Sequence, residues 1–250
     1  MIFEPAIFAL CAAVVIMTGI SKSGFGAGLE MMAVPVLALT MAPQTAAAIM
    51  LPILLVIDFA NLVRYRRDWV ARVLWSLLPY SIIGIALGAY MFEYTDPSWF
   101  KLGLGVLSLA FVAQRLWMAG KVQRKPGPVL TAVLGAMGGF TSFVAHAGSP
   151  PIKMVLMSEE LPKQQFVGTN SYLFSGINFM KAFPYFFLGQ FSMSNLTASA
   201  SLFPITLMGI ALGFWLNGKV SQKLFDYILI GALSIAGVKL IWDGVSELMV

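Results

Sequence analysis

The stretch PYSIIGIALG at residues 79–88 is matched 125 positions later by PITLMGIALG at residues 204–213. In each stretch a proline is followed by one glycine five residues on and by another nine residues on. Trp117 and Trp242 are separated by the same 125 positions. A pattern that occurs twice in a hydrophobic chain predicts two structural repeats, which is how many transporters are built.

Polar residues upstream of these stretches repeat at a spacing of 120 positions. The corresponding residues are Asp58 with Asn178, Asn61 with Lys181, and Tyr65 with Tyr185. A basic loop follows the first tyrosine, whereas the loop after the second tyrosine carries no charge. Repeats whose loops carry different charges predict two units inserted into a membrane in opposite directions.

The composition is that of an all-α polytopic membrane protein. Hydrophobic residues make up 59% of the 250 residues, charged residues 11%, and the mean hydropathy is +0.84. Soluble domains have about 25% charged residues. The apolar runs exceed strand length and lack the alternation of a barrel. We therefore expect one transmembrane domain over residues 1–250, with repeats at 1–120 and 128–250.

The remaining composition excludes several function classes. The net charge of +5 does not indicate nucleic acid, because most basic residues lie at helix ends, as the positive-inside rule requires. Cys11 is the single cysteine, so no internal disulfide forms. No Gly-x-Ser-x-Gly motif, paired histidines or P-loop occurs in the sequence. We expect neither an enzyme nor a bound metal or cofactor.

Ten apolar segments are predicted, five in each half. They span 6–20, 29–41, 44–63, 71–92 and 98–118, then 128–145, 150–158, 165–188, 195–216 and 222–245. The second segment of each half is shorter than the roughly 20 residues of a membrane span. It follows a break rich in glycine, serine or proline, at 21–28 and at 146–151. Each half is therefore predicted to be a re-entrant or broken helical hairpin followed by three transmembrane helices.

Loop charges predict the orientation. Arginines and lysines cluster at 64–72 and 119–127, which places both loops in the cytoplasm. Glu93 and Asp96 lie in the loop between, which fits the outside. Three full spans in each half, an odd number, then place both termini outside.

Two ionisable residues, Asp58 and Lys181, lie well inside their apolar segments. A charge at membrane depth costs a few kcal/mol, so each needs a structural or functional reason. Asn61 and Asn178 lie three residues away on the same helix faces. These faces are expected to meet near the midplane, as a polar substrate or proton site. The alternative is a structural Asp58–Lys181 pair that never meets the substrate.

The first break combines Lys22 with Ser21 and Ser23, and glycines including Gly26 and Gly28 follow. Glycine lets the backbone approach a ligand closely, and a helix that begins after the break directs free N–H groups towards it. The break therefore predicts an anion site. The alternative is a flexible turn from which Lys22 reaches the membrane interface.

The second break contributes His146, Ser149 and Lys153. Histidine can change charge near neutral pH, although a lone histidine is often structural. Two roles suit Lys153 equally well: a cation inside the substrate cavity, or an anchor at the membrane interface. Thr169 and Asn170, at the start of the eighth segment, add hydrogen-bonding groups.

Four features together resemble the TauE/SafE sulfite exporter family, also called the toluene-sulfonate uptake permeases. They are the glycine-rich break with Pro35 beyond it, the basic loop after the third segment, the paired Gly-x-x-x-Gly helices, and the second break running on to Gly168-Thr169-Asn170. The resemblance covers nearly the whole chain. It implies two inverted repeats that move sulfite, sulfonates or related small anions across the bacterial inner membrane.

The predicted function is a secondary transporter, an exporter of small sulfur-containing anions. Its predicted partners are a small anionic substrate and the lipid bilayer. Whether two copies form a homodimer stays an open question. An anion channel and a non-transporting membrane subunit are the alternatives. The predicted substrate-binding residues are Ser21, Lys22, Ser23, Gly26, Gly28, Asp58, Asn61, His146, Ser149, Lys153, Thr169, Asn170, Asn178 and Lys181. The sequence leaves the anion, the direction of transport and any coupling ion open.

Overall fold

The computed structural model describes residues 4–25, 28–118, 125–217, 219 and 222–249, and these form helices and connecting turns without any strand. The helices are α1 (Pro5–Phe25), α2 (Ala33–Leu37), α3 (Pro43–Arg64), α4 (Ala71–Tyr94), α5 (Pro97–Met118), α6 (Pro128–Ala145), α7 (Ser149–Ser158), α8 (Lys163–Phe187), α9 (Met193–Ser201), α10 (Phe203–Leu216) and α11 (Gln222–Leu248). A 3₁₀ turn, Leu29–Met32, leads into α2. The predicted all-α class is confirmed.

Six of the described helices are long and apolar enough to cross a membrane: α1, α3, α4, α5, α6 and α11. Together, α9 and α10 form a seventh candidate, bent by 45° at the break between them. At 25 residues, α8 has the length of a span. It is less apolar because buried polar residues line one side of it, including Asn170, Asn178 and Lys181. The chain is thus a multi-pass membrane protein.

Two element boundaries differ from the sequence prediction. The first helix continues to Phe25, so Ser21, Lys22 and Ser23 occupy its last turn and not the break. The helix persists there because the Ser21 hydroxyl accepts a hydrogen bond from the Leu29 amide at 3.0 Å and Lys22 pairs with Asp58. The predicted segment 195–216 consists of two helices, α9 and α10, with a bend of 45° between them. Pro204 on the first turn of α10 permits this bend, because its ring lacks an amide hydrogen and crowds the preceding turn.

The repeated glycines pack helices of one half against helices of the other. Gly84 on α4 lies against the backbone of Ala136 on α6. Gly209 on α10 lies against the backbone of Ile16 on α1, where an added Cβ would be 3.0 Å from the Ile16 carbonyl oxygen. Ile16 and Ala136 are themselves 120 positions apart, so the two contacts correspond. Small residues allow this close approach of the helix backbones.

Helices that correspond in the two halves also contact each other. Lys101 at the start of α5 pairs with Glu247 at the end of α11. At the opposite ends of the two helices, Arg115 pairs with Asp226 at 2.6 Å. Therefore α5 and α11 run antiparallel. Similarly, the amide of Val70, in the loop after α3, donates to the Thr169 hydroxyl near the start of α8 at 3.0 Å.

The glycine contacts lead to a stability prediction. Gly84→Leu is expected to destabilise the fold by about 1–3 kcal/mol or more, because its side chain would enter the α6 backbone. Gly103→Ala is the matched control, since nothing lies within 4 Å of an added Cβ there. Alanine is favoured over glycine in a helix by up to about 1 kcal/mol, so this control should not lose stability. Denaturant unfolding in detergent compares the two, and equal stability would contradict the packing role.

Candidate functional site

A buried polar cluster lies where α1, α3 and α8 meet. The Asp58 carboxylate forms an ion pair with Lys22 through one oxygen. Its other oxygen accepts a hydrogen bond from Asn178 Nδ2 at 2.6 Å. All three side chains are buried. Asp58 and Asn178, which are 120 positions apart in the sequence, are therefore in direct contact.

Lys181 forms the second part of the cluster. Its ammonium donates to the carbonyl oxygen of Ser142 at 2.9 Å, to the Ser142 hydroxyl at 3.1 Å, and to His146 Nδ1 at 2.7 Å. Three acceptors match the three N–H donors of a charged lysine. The residue is 0% exposed, and all three of these partners are neutral. Lys181 is therefore a buried cation held by uncharged groups.

His146 holds Lys181 through a fixed tautomer. Its Nε2 lies 2.9 Å from the Ala47 carbonyl oxygen, which can only accept a hydrogen bond. Nε2 thus carries the hydrogen, and Nδ1 is left to accept from Lys181. His146 also ends α6 in a left-handed conformation, with φ of 52°. Both ring nitrogens are therefore engaged, and the imidazole is neutral.

Corresponding hydrogen bonds connect the third helix of each half to the end of the first. The four bonds are Tyr65 hydroxyl to Ser23 carbonyl at 3.1 Å, Tyr185 hydroxyl to Phe143 carbonyl at 2.9 Å, Asn61 amide to Lys22 carbonyl at 3.3 Å, and Lys181 ammonium to Ser142 carbonyl. Donors and acceptors both obey the spacing of 120 positions. The two halves therefore position their hairpins with equivalent contacts, and Lys181 replaces the neutral Asn61.

The N-terminus of α7 adjoins this cluster. Gly148, just before α7, packs against the Ser142 side chain and the Phe174 ring. The Phe174 ring centroid lies 6.0 Å from Lys22 Nζ. Ser149, the first residue of α7, is 1% exposed, and its hydroxyl has no hydrogen-bond partner among the described residues. The unsatisfied Ser149 hydroxyl is a buried donor that an anion can use, whereas Pro150 and Pro151 in the same turn have no amide hydrogen.

The first hairpin brings a second pair of charges near Gly28, whose φ of 156° suits glycine alone. The Gly28 amide donates to Glu30 Oε2 at 2.9 Å. On the other side, Lys153 Nζ lies 3.8 Å from the place of a Gly28 Cβ. Glu30 and Lys153 therefore flank the same glycine. Gly26 lies outside the described residues.

Several predicted site residues are brought together, whereas the Thr169 hydroxyl is bonded elsewhere. Thr169 and Asn170 lie near the start of α8, where Thr169 binds the backbone of the loop after α3. Thr169 therefore has a structural partner away from Lys181. The alternative of a direct Asp58–Lys181 pair is wrong, because Asp58 pairs instead with Lys22 on the last turn of α1. Sequence reasoning missed Ser142 and Phe174, although Ser142 follows Lys22 by the repeat spacing of 120.

One end of the second hairpin is tied to the loops predicted to be cytoplasmic. Glu159, the residue after α7, pairs with Arg72 at the start of α4 and with Lys125 at 2.9 Å. Burial opposes ionisation of this carboxyl, but the hydrogen bonds from Lys125 and Arg72 outweigh it and lower the pKa of Glu159. These three residues line one side of a cavity of about 340 Å³. Arg72 and Lys125, which come from the two stretches predicted to be cytoplasmic, thus meet at one end of the molecule.

Comparison with known proteins gives one match. The family model of the sulfite exporter TauE/SafE matches residues 11–240, a range that includes every residue of the buried cluster. No curated sequence and no solved structure matches the chain at a significant level. The match covers nearly the whole chain and agrees with its multi-pass helical fold. The chain therefore belongs to the sulfite exporter TauE/SafE family.

Proposed function

We propose that the protein is a secondary transporter that exports small sulfur-containing anions, such as sulfite or organosulfonates, across the bacterial inner membrane. Membership of the sulfite exporter family supports the transport of sulfur anions. The substrate site is the buried cluster formed by the two hairpins, α3 and α8. Its substrate-binding groups are Lys22, Asn178, Lys181 and Ser149, with Asp58 and His146 holding the lysines in place.

One observation supports this proposal above the others. Lys181 is a fully buried cation whose hydrogen-bond partners are all neutral. A buried ammonium with no carboxylate in direct contact is costly to keep charged, and a bound anion would lower that cost. The Ser149 hydroxyl, which is buried without a hydrogen-bond partner among the described residues, offers a donor near this charge. A purely structural lysine would instead be expected to face a carboxylate.

The proposal includes two inverted repeats with both termini outside. The antiparallel contact of α5 with its counterpart α11 supports the inversion. The grouping of Arg72 and Lys125 around Glu159 supports a common cytoplasmic side for both basic loops. Transport would then proceed by movement of one half against the other around the central cluster.

Proteoliposomes test the transport function directly. Purified protein should take up radiolabelled sulfite or methanesulfonate with saturable kinetics, and an unlabelled anion inside should accelerate that uptake by counterflow. Lys181→Gln should abolish uptake, because it removes the buried charge while keeping two N–H donors for Ser142 and His146. Lys239→Met, at an exposed ion pair, is the control and should transport normally. Linear flux without counterflow would indicate a channel, and no flux would refute the proposal.

A further inference from the structure

We propose that the cavity between the starts of α4 and α6 binds the phosphate group of an anionic phospholipid. The cavity has a volume of about 340 Å³ and is lined by the start of α4, the segment leading into α6 and the end of α7. Both α4 and α6 are long and apolar enough to span a membrane, and both begin here, so the cavity opens at a membrane surface. Ser149 and the buried cluster lie at the other end of α7, so this is a separate site.

The charged residues that line the cavity are a covered carboxylate and two exposed cations. The Glu159 side chain is 7% exposed, whereas Arg72 is 65% exposed and Lys125 is 57% exposed. One Glu159 oxygen binds Arg72, and the other binds Lys125 at 2.9 Å. A guanidinium has five N–H donors and an ammonium has three, so one carboxylate uses only part of their capacity. Glu159 therefore holds two cations side by side with donors left for a further anion.

The charges at the cavity favour an anionic lipid over a zwitterionic one. Arg72 and Lys125 together carry two positive charges, and Glu159 carries one negative charge. Glu160, the next residue, is exposed and does not line the cavity. The phosphodiester of an anionic phospholipid balances the remaining positive charge. A zwitterionic lipid brings an ammonium as well, which the two cations repel.

An apolar surface continues from the cations along one face of α4. Trp75 and Tyr80 line the cavity and are 63% and 39% exposed, and Ile83 and Leu87 follow on the same face and are also exposed. Leu87 lies 15 residues after Arg72 (87 − 72), which is about 22 Å along the helix. That length exceeds half of the roughly 30 Å hydrocarbon core. Tryptophan and tyrosine are favoured at the membrane interface. The face therefore suits a whole lipid, with its phosphate at Arg72 and an acyl chain along α4.

A lipid held in this way connects the two halves of the chain. Arg72 belongs to the first half, Lys125 directly precedes the first helix of the second half, and Glu159 follows α7 of the second hairpin. The phosphate and Glu159 bind the same two cations. The lipid therefore reinforces the contact between α7 and the start of α4, whichever anion the buried cluster binds.

Native mass spectrometry of delipidated protein in detergent tests the site. The probes are dioleoyl phosphatidylglycerol and dioleoyl phosphatidylcholine, which share their acyl chains and phosphate and differ by one in net charge. Wild type should bind phosphatidylglycerol at least about fivefold more tightly, because one basic residue near an anionic lipid contributes about 1 kcal/mol. Equal binding of the two lipids would overturn the proposal.

One substitution and its control assign the preference to this cavity. Lys125→Gln should remove the preference, because Arg72 and Glu159 then cancel. Lys239→Gln is the matched control, since Lys239 is also 57% exposed and paired with a carboxylate but lies on α11. The control should keep the fivefold preference. A preference that Lys125→Gln leaves unchanged would contradict the assignment.

Two measurements on wild type distinguish a lipid from a soluble anion and require no variant. Inorganic phosphate in tenfold molar excess should leave phosphatidylglycerol bound, because it lacks the acyl contacts with α4. Displacement of the lipid would show a site for soluble anions instead. Phosphatidylglycerol with a photoreactive acyl chain, added at one molecule per protein, should label α4 between residues 75 and 87. Labelling spread evenly over the other helices would refute the lipid site.

Discussion

Lys22→Met is expected to lower the free energy of unfolding by about 3–5 kcal/mol, the usual cost of removing one partner from a buried ion pair. Asp58 is buried, and its carboxylate would retain only the hydrogen bond from Asn178. The last turn of α1 would also lose one of its contacts with α3, although the hydrogen bonds from Asn61 and Tyr65 to its backbone carbonyls would remain. The effect comes from an uncompensated charge and not from lost packing, since methionine fills a similar volume.

A second substitution separates these causes. Adding Asp58→Asn to Lys22→Met removes the stranded charge and keeps the contact with Asn178, so most of the lost stability should return. Lys239→Met is the matched control, because Lys239 and Asp243 form an exposed pair that contributes about 0.3–0.5 kcal/mol. Denaturant unfolding in detergent measures all three. A double variant as unstable as Lys22→Met would show that Lys22 acts through packing.

Much of the fold could be predicted from the sequence, because hydropathy and glycine placement are local signals. Membrane spans are set by the length of apolar runs, and the observed helices lie close to the predicted segments. The Gly-x-x-x-Gly pairs predicted close helix packing, and Gly84 and Gly209 indeed contact the first helix of the other half. The prolines of the two repeated stretches each predict a kink, and the chain does bend just before Pro204, whereas α4 runs as one helix through Pro79. A proline permits a bend, but tertiary packing decides whether it occurs.

The residues of the site could be named from sequence, but not their pairing. Asp58, Lys181 and Lys22 stood out because charged groups inside apolar segments need a reason. Which lysine meets Asp58 depends on the rotation of α1 and α8 around their own axes. Hydropathy does not determine that rotation for helices that are apolar on most sides. The repeat spacing of 120 carried the missing information, since it relates Lys22 to Ser142, the partner of Lys181.

The arrangement of the cluster also bears on energy coupling. A proton added to His146 Nδ1 would face the Lys181 ammonium, only 2.7 Å away. A proton added to Asp58 would remove the counterion of Lys22. Protonation of His146 would thus place two positive charges side by side, and protonation of Asp58 would leave the Lys22 charge without its counterion. Either change is costly in a buried site. We expect the anion to move without a coupled proton.

Export without a coupling ion predicts that the membrane potential alone drives accumulation. A potential of roughly 100 mV contributes about 2.3 kcal/mol per charge, negative inside, towards expelling a monoanion. Because about 1.4 kcal/mol corresponds to tenfold, this equals a concentration ratio of roughly fifty. Proteoliposomes with an imposed potential and no pH gradient should therefore accumulate methanesulfonate on the positive side. His146→Gln should preserve this accumulation, since glutamine can still accept from Lys181 and donate to the Ala47 carbonyl. Accumulation that requires a pH gradient and disappears in His146→Gln would instead establish proton coupling through this residue.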